Sequence, residues 1–562
     1  SEQAKMVEGA LARSELISGT GGELSPKVIE EIVEAAMRMF DDTNGGFGSA
    51  PKFPHPSMID LLIDQYSRAG VERRPYTAEQ LKHVFATTLE KMARGGVYDQ
   101  LAGGFHRYSV DERWIVPHFE KMSYDNSELL KNYVHAYQAT GSEFFAAVAR
   151  DIVRWMDEWL SDRERGGFYA SQDADYSMED DGDYFTWTRA EMQAVLNEDE
   201  AAIAGLRYDI NEVGEMHHNP EKNVLYIRAS LEEIGKRLSL SPERVAAQLE
   251  SAKQKMYEAR LRRPTPYVDK TVYVGWNSLC VSAYLEAAKV LKLETARHFA
   301  LRSLDRILSE AWQPERGLQH VVAYSDPAAE HRMVPGLLDD YAFTAVACLD
   351  AYEATVDLSY FNFARRIVDK MVDLMFDPVS GGFFDMAASG PGTQKSLGVL
   401  GTRRKPFQDS PTPAGNSVAA IALLRLYAYT NQPSYRDHAE QTLETLAGLA
   451  GKFGIFAATY GIAAVYFSQP HTQIVVIGND ELAEQLYAVA SSFCDFDKAV
   501  LKLAANEVVA QNLPPALAET LPHLPGLGGD KSMAVICSGF SCQPPISNPE
   551  QLRERLSQAL RS

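Results

Sequence analysis

The 562-residue chain is 45% hydrophobic and carries a formal net charge of −21, so it can bury a large core but repels phosphate backbones and anionic membranes. No apolar run reaches the roughly 20 residues that cross a bilayer, and the N-terminus lacks a basic stretch followed by an apolar one. The reading is a cytoplasmic protein, or an organellar one already processed, with neither nucleic-acid nor membrane partners. Five cysteines make no disulfide framework, and the four residues between Cys537 and Cys542 fit neither a redox CxxC nor a zinc knuckle.

Residues 1–23 read as a linker. From there a short signature recurs: Gly45-Gly46-Phe47, Gly103-Gly104-Phe105, Gly166-Gly167-Phe168 and Gly381-Gly382-Phe383, with weaker echoes at Gly317-Leu318 and Gly454-Ile455-Phe456. Ahead of each signature lies an amphipathic helical segment: Lys27 to Asp42, Thr77 to Arg94, Ser142 to Asp162, Glu294 to Trp312, Ser359 to Phe376 and Ser434 to Gly451. After each comes a loop and a more apolar helix: Pro56 to Arg68, Ser123 to Thr140, Trp276 to Lys292, Leu337 to Thr355, Asn416 to Thr430 and Ala457 to Phe467. Six repeats of one unit predict a toroid over residues 24–470, the apolar helices forming an inner ring. Tyr184 to Arg263 interrupts the third pair as an inserted α+β segment, with a strand expected at Val224 to Arg228. From Thr472 onward, IVVIG and MAVIC alternate with helices, a small α/β domain over 471–562.

Connections from inner to outer helix are short, whereas those from outer to inner helix are long and hold the unusual polar residues. These loops are expected to gather at one rim and to line a small-molecule pocket. The loop Gly95 to Asn126 is the richest. His106 and His118 are candidates for proton exchange at neutral pH, accompanied by Arg107, Tyr108, Trp114, Glu120, Asp125 and Asn126. Asp173 and Asp175 follow the third signature as acid–base candidates; Met178 stands where a calcium loop needs glycine, so no metal is expected. Asp339 and Asp340 open an inner helix, where one caps backbone donors and the other faces the rim. Lys52, Trp276, Asn277 and Asn416 are placed at the same rim as substrate-binding groups. No cofactor is demanded.

GGFGSAPKFPHP, DQLAGGFHRYSVDERWIVPHFEKMSYDN, GGFYASQDAD, LLDDYAF and PAGNS together resemble the thioredoxin-domain-containing family that includes spermatogenesis-associated protein 20. The resemblance runs from about Leu24 to CSGFSCQPP. It implies a mostly α fold, an (α/α)6 barrel similar to N-acylglucosamine 2-epimerases and six-hairpin glycosidases. Members of that family carry an N-terminal thioredoxin-like domain with a cysteine pair, which these residues lack, so its redox activity does not carry over to them. Three functional readings stand. The leading one is a sugar epimerase or isomerase: His106 or His118 removes the proton beside the carbonyl of an open-chain sugar, His320 or His331 returns it, and Arg107 holds the enediolate oxygen. The second is a glycoside hydrolase using a carboxylate pair, Asp173 with Asp340 or Glu120. The third is a non-catalytic body that presents ligands or partners to a thioredoxin-like domain.

Overall fold

The computed structural model describes residues 22, 24–69, 75–177, 180–326, 328, 333–388, 403–524, 527 and 531–559. Among these, twelve helices alternate as outer and inner members of six hairpins. The outer ones are Lys27–Met39, Ala78–Arg94, Glu143–Trp159, Glu294–Ala311, Leu358–Met375 and Pro433–Phe453. The inner ones are Pro56–Arg68, Ser123–Thr140, Val274–Leu291, Leu338–Thr355, Gly415–Thr430 and Ala458–Ser468. Each inner helix packs on the next in that order, and Ala458–Ser468 returns to Pro56–Arg68, which closes the (α/α)6 barrel. The division follows composition. Outer helices bury one face, as Val28, Ile29, Ile32, Val33, Ala35 and Ala36 do in the first, while Gly415–Thr430 is buried almost throughout.

Four signatures fold into the same turn. At the first, Asp41 donates its N–H to the Gly46 carbonyl and accepts from the Gly45 N–H; Asp99, Asp162 and Asp377 repeat the pair. Both glycines of each turn have φ between 71° and 106°, a region glycine enters without steric cost. Space demands glycine too: a Cβ on Gly104 would lie 2.5 Å from the Trp155 ring. The chain then crosses back as an isolated bridge, Phe40 to Phe47 and likewise in the other three, which directs it into the long rim loop.

The insertion supplies four helices, Arg189–Val195, Glu198–Tyr208, Leu231–Leu238 and Pro242–Arg260, around a core of its own that includes Trp187, Met192, Tyr208 and Met256. The segment Val224 to Arg228 does not form the expected strand. Beyond the bridge between Asn223 and Trp187, its donors go elsewhere: Val224 N–H bonds the Glu215 carboxylate at 3.0 Å, and Ile227 N–H and Arg228 N–H bond the carbonyls of Arg94 and Arg207. The C-terminal residues build a four-stranded sheet in the order Lys498–Leu503, Thr472–Ile477, Met533–Ser538, Ser541–Cys542. It lies across the end of the barrel where the inner helices finish: Gln138 donates to Ser491 O at 2.8 Å, Arg68 pairs with Asp495 at 2.7 Å, and His135 meets Phe496 edge-on at 4.6 Å.

Candidate functional site

Most of the distinctive rim residues hold the repeat together. Asn126, at the start of its inner helix, accepts the Phe105 N–H at 2.6 Å and donates to Phe105 O at 2.9 Å and Met122 O at 3.0 Å. Asn277 clamps Phe168 in the same way, at 2.6 and 2.9 Å, and Asn416 clamps Phe383 at 2.7 and 2.9 Å. A second device fastens the glycine turn itself with a cation. Lys52 is fully buried and donates to Asp41 at 2.7 Å and Gly45 O at 3.0 Å. Lys121 repeats this with Asp99 and Gly103 O at 2.8 and 2.9 Å, Arg306 with Asp162 and Gly166 O, and Lys405 with Asp377 and Gly381 O. Lys52, Asn126, Asn277 and Asn416, expected to bind substrate, are thus occupied with backbone. Trp114 is occupied too: it is buried, donates to Asn44 O at 3.1 Å and fills the space a side chain on Gly46 would need.

The two histidines of the central loop part company. His106 is 2% exposed, bonds Phe119 O through Nδ1 at 2.7 Å and meets Phe119 and Phe185 edge-on. Burial, reinforced by Lys121, holds it well below the ordinary imidazole range, so the expected proton exchange gives way to a neutral packing role beneath the insertion. His118 lies outside, stacked on Tyr108 at 5.2 Å; Tyr108 stacks in turn on Phe53 at 4.8 Å. Glu120 pairs with Arg107 at 3.1 Å. Burial, then the charge of Glu120, raises Asp173, while Asp175 accepts the Gly182 N–H at 3.0 Å and turns its own loop.

On the other side of the rim, Asp340 is 1% exposed and accepts from Gly275 N–H at 2.8 Å, Leu337 N–H at 2.8 Å and His320 Nδ1 at 2.8 Å. It is a cap, and it orients His320. Burial and the neighbouring Asp340 push Asp339 up to about 7. Tyr124, Trp276, Tyr273 and His320 follow one another along this edge with ring centroids 4.7 to 5.3 Å apart. His331 lies outside the described residues.

The sequence-chosen residues do not converge on one opening. The rim narrows to a cavity of about 20 Å³ lined by His55, Ser57, Tyr124, Asp125, Glu128 and Asp409. Among the expected residues, Asp125 reaches it; its Oδ2 is buried with no hydrogen-bond partner among the described residues, and burial raises it far above the usual carboxylate range against the pull of Arg107. Below it, sharing Ser57 and Glu128 in the wall, a cavity of about 1150 Å³ follows the barrel axis to the C-terminal sheet. Its polar groups come from the inner helices and, at the far end, from the C-terminal residues, among them Asp495 and Lys498. Asp60 accepts from His135 Nδ1 at 3.0 Å and from Asn132 at 2.6 Å; Glu128 pairs with Lys131 at 2.7 Å, Glu286 with Lys289 at 2.5 Å, and Arg425 with Asp350 and Glu353 at 2.7 Å each. Burial raises Glu128 despite Lys131, whereas at Glu286 burial is outweighed by Lys289, His135 and Lys498 together, and the carboxyl is lowered. Tyr466, Phe343 and Phe496 add aromatic faces. A chamber of this size with alternating donors and acceptors suits a polyhydroxylated molecule, and the His135–Asp60 pair beside a raised carboxyl can move a proton.

These residues were missed because they sit inside helices that read as core. Their signal is a carboxylate and a cation three positions apart within an inner helix, as in ELLK at Glu128 and EAAK at Glu286.

No family model matches the chain. Over 98% of its length it is 30% identical to human spermatogenesis-associated protein 20, 72% of which is covered, and over 94% it is 27% identical to an uncharacterized protein of Caenorhabditis elegans, 73% of which is covered. In fold it is similar to cellobiose 2-epimerase of Bacillus thermoamylovorans, at 10% identity and a TM-score of 0.48 over 78% of this chain and 98% of that one. It is also similar to a GH76 α-mannanase of Bacteroides thetaiotaomicron, at 9% identity and a TM-score of 0.46 over 79% of this chain and 95% of that one. With 30% identity sustained across nearly the whole chain, the protein belongs to the spermatogenesis-associated protein 20 family.

Proposed function

We propose that the axial cavity binds a carbohydrate-type small molecule and that the protein transfers a proton next to the carbonyl of its open-chain form, as an epimerase or isomerase does. The supporting observation is the 1150 Å³ axial cavity whose wall holds the His135–Asp60 pair, at 3.0 Å, and the Glu128–Lys131 pair, at 2.7 Å, on inner helices. Asp60 fixes His135 through Nδ1, leaving Nε2 to take the proton from the carbon beside the carbonyl. The electron pair moves into the carbonyl, and the enediolate oxygen is met by the Lys131 or Arg425 cation. Glu128, kept protonated more readily by burial, returns a proton to the same carbon from the other face, which inverts it. The two groups are seven residues apart on one helix, roughly 10 Å along its axis, a span that the two side chains close by leaning toward a single carbon held between them. On this reading the chemistry belongs to the inner-helix face rather than to the His106 and His118 loop.

Aldoses and ketoses incubated with the protein in heavy water are expected to gain deuterium beside the carbonyl, and His135→Gln to lose this by about 10²-fold or more. Equal exchange in wild type and His135→Gln, or none across a broad panel, refutes the assignment. Release of new reducing ends from oligosaccharides, without exchange, would instead establish hydrolysis.

A further inference from the structure

Away from the axial cavity, the junction of barrel and C-terminal sheet encloses about 190 Å³. Cys537 and Cys542 lie in its wall as a disulfide. The bridge is not needed to shape the hairpin it crosses. Its cysteines are five positions apart, directly opposite each other in the ladder, and backbone bonds already close the turn: Gln543 N–H donates to Ile536 O at 2.8 Å. So short a loop restricts the unfolded chain little. The same wall holds a histidine with a carboxylate behind it. His471 Nδ1 bonds Asp497 at 2.9 Å, with the two side chains 7% and 4% exposed, and its buried Nε2 has no hydrogen-bond partner among the described residues. Arg436 lines the cavity and stacks on Phe467 at 4.6 Å; among the described residues it makes no ion pair.

We propose that this cavity is a thiol–disulfide exchange site for a small thiol that bears a carboxylate. Arg436 receives the carboxylate, and His471 Nε2 takes the proton from the thiol. The resulting thiolate attacks Cys542 Sγ, the more exposed sulfur, since Cys537 is 5% exposed and Cys542 half-buried. A new S–S bond forms between the small thiol and Cys542 as the Cys537–Cys542 bond breaks, and the Cys537 thiolate leaves and takes the proton back from His471. A second thiol attacks the mixed disulfide, releasing the small molecule as its disulfide. Two thiols thus supply two electrons and two protons, and the protein ends as Cys537 and Cys542 thiols. Cys280, Cys348 and Cys494 are buried, and burial raises each thiol far above the ordinary range, so they stay out of the exchange.

The test equilibrates the full chain with reduced and oxidised glutathione at graded ratios, followed by acid quench, alkylation and peptide mass spectrometry. Cys537 and Cys542 are expected to open together, with the glutathione adduct on Cys542, accumulating in Cys537→Ser. His471→Gln is expected to slow the approach to equilibrium about 10-fold or more without moving the final ratio, which a purely structural role would not do. Arg436→Gln is expected to slow glutathione but not 2-mercaptoethanol. A bridge that opens only when the protein unfolds, an adduct spread equally over all five cysteines, or an unchanged rate in His471→Gln overturns the proposal.

Discussion

Asn126→Ala separates a structural clamp from a ligand contact. The carboxamide makes three hydrogen bonds to the backbone of Phe105 and Met122, at 2.6, 2.9 and 3.0 Å, and Asn126 is 0% exposed. Alanine leaves one N–H and two carbonyls facing a space without a partner, at about 1–2 kcal/mol apiece, so the loss is about 3–6 kcal/mol. A residue whose role is to touch ligand would lose under about 0.5 kcal/mol. Urea denaturation followed by tryptophan fluorescence is the assay. With a slope of roughly 3 kcal/mol/M or more for a chain of this size, the midpoint falls by about 1 M. Asn126→Asp keeps the acceptor but turns a carboxylate oxygen toward two carbonyls, so it is expected to be at least as destabilising as alanine at neutral pH. Asn277→Ala and Asn416→Ala lose equivalent bonds and are expected to fall in the same range. Unchanged midpoints in all three would refute the clamp and return these side chains to the ligand.

Two further outcomes follow from buried charge. Asp99 receives both Arg260 nitrogens at 2.9 Å and Lys121 at 2.8 Å, joining the last insertion helix to the barrel. Asp99→Asn leaves two buried cations without their counter-charge, a loss of about 3–5 kcal/mol, and limited proteolysis is expected to cut within residues 184–263 faster than in wild type. Burial holds His55 down to about 4, below its unfolded value of about 6.5. Between these values the unfolded chain binds the extra proton, so stability rises with pH across that window: the His55 contribution is complete above about 6.5 and is lost as pH falls through about 4. His55→Gln is expected to flatten that part of a plot of urea midpoint against pH, and an unchanged slope would contradict the assignment.

The barrel was legible because hairpins are local. Glycine pairs needing positive φ, and apolar residues at helical spacing, are written within about 20 residues of each other, and the inner helix Ser123–Thr140 has the bounds its sequence pattern implies. The clamps were not legible because their halves are far apart: Arg306 closes the turn at Gly166 from 140 positions away, and nothing in either segment announces the other. Composition alone therefore gave Lys52 and Asn416 the look of binding residues.

The cavity was overlooked for a different reason: its polar groups sit inside helices that read as core. A rim loop ordered by buried Asp–Lys pairs and asparagine clamps has committed its polar atoms to backbone, and satisfied groups have little left to offer a ligand. The inner helices differ. Asp60, Glu128, His135, Glu286 and Arg425 face the axial cavity, and their partners are side chains of the same ring, so a ligand can exchange bonds with them without unmaking the barrel. A carboxylate or cation facing the middle of such a ring is a poor choice for packing and a good one for a wet chamber. Polar residues that interrupt an apolar inner helix are on that reasoning better guides to function here than the conspicuous loop motifs, and Glu128, common to the walls of the rim and axial cavities, is where the two openings meet.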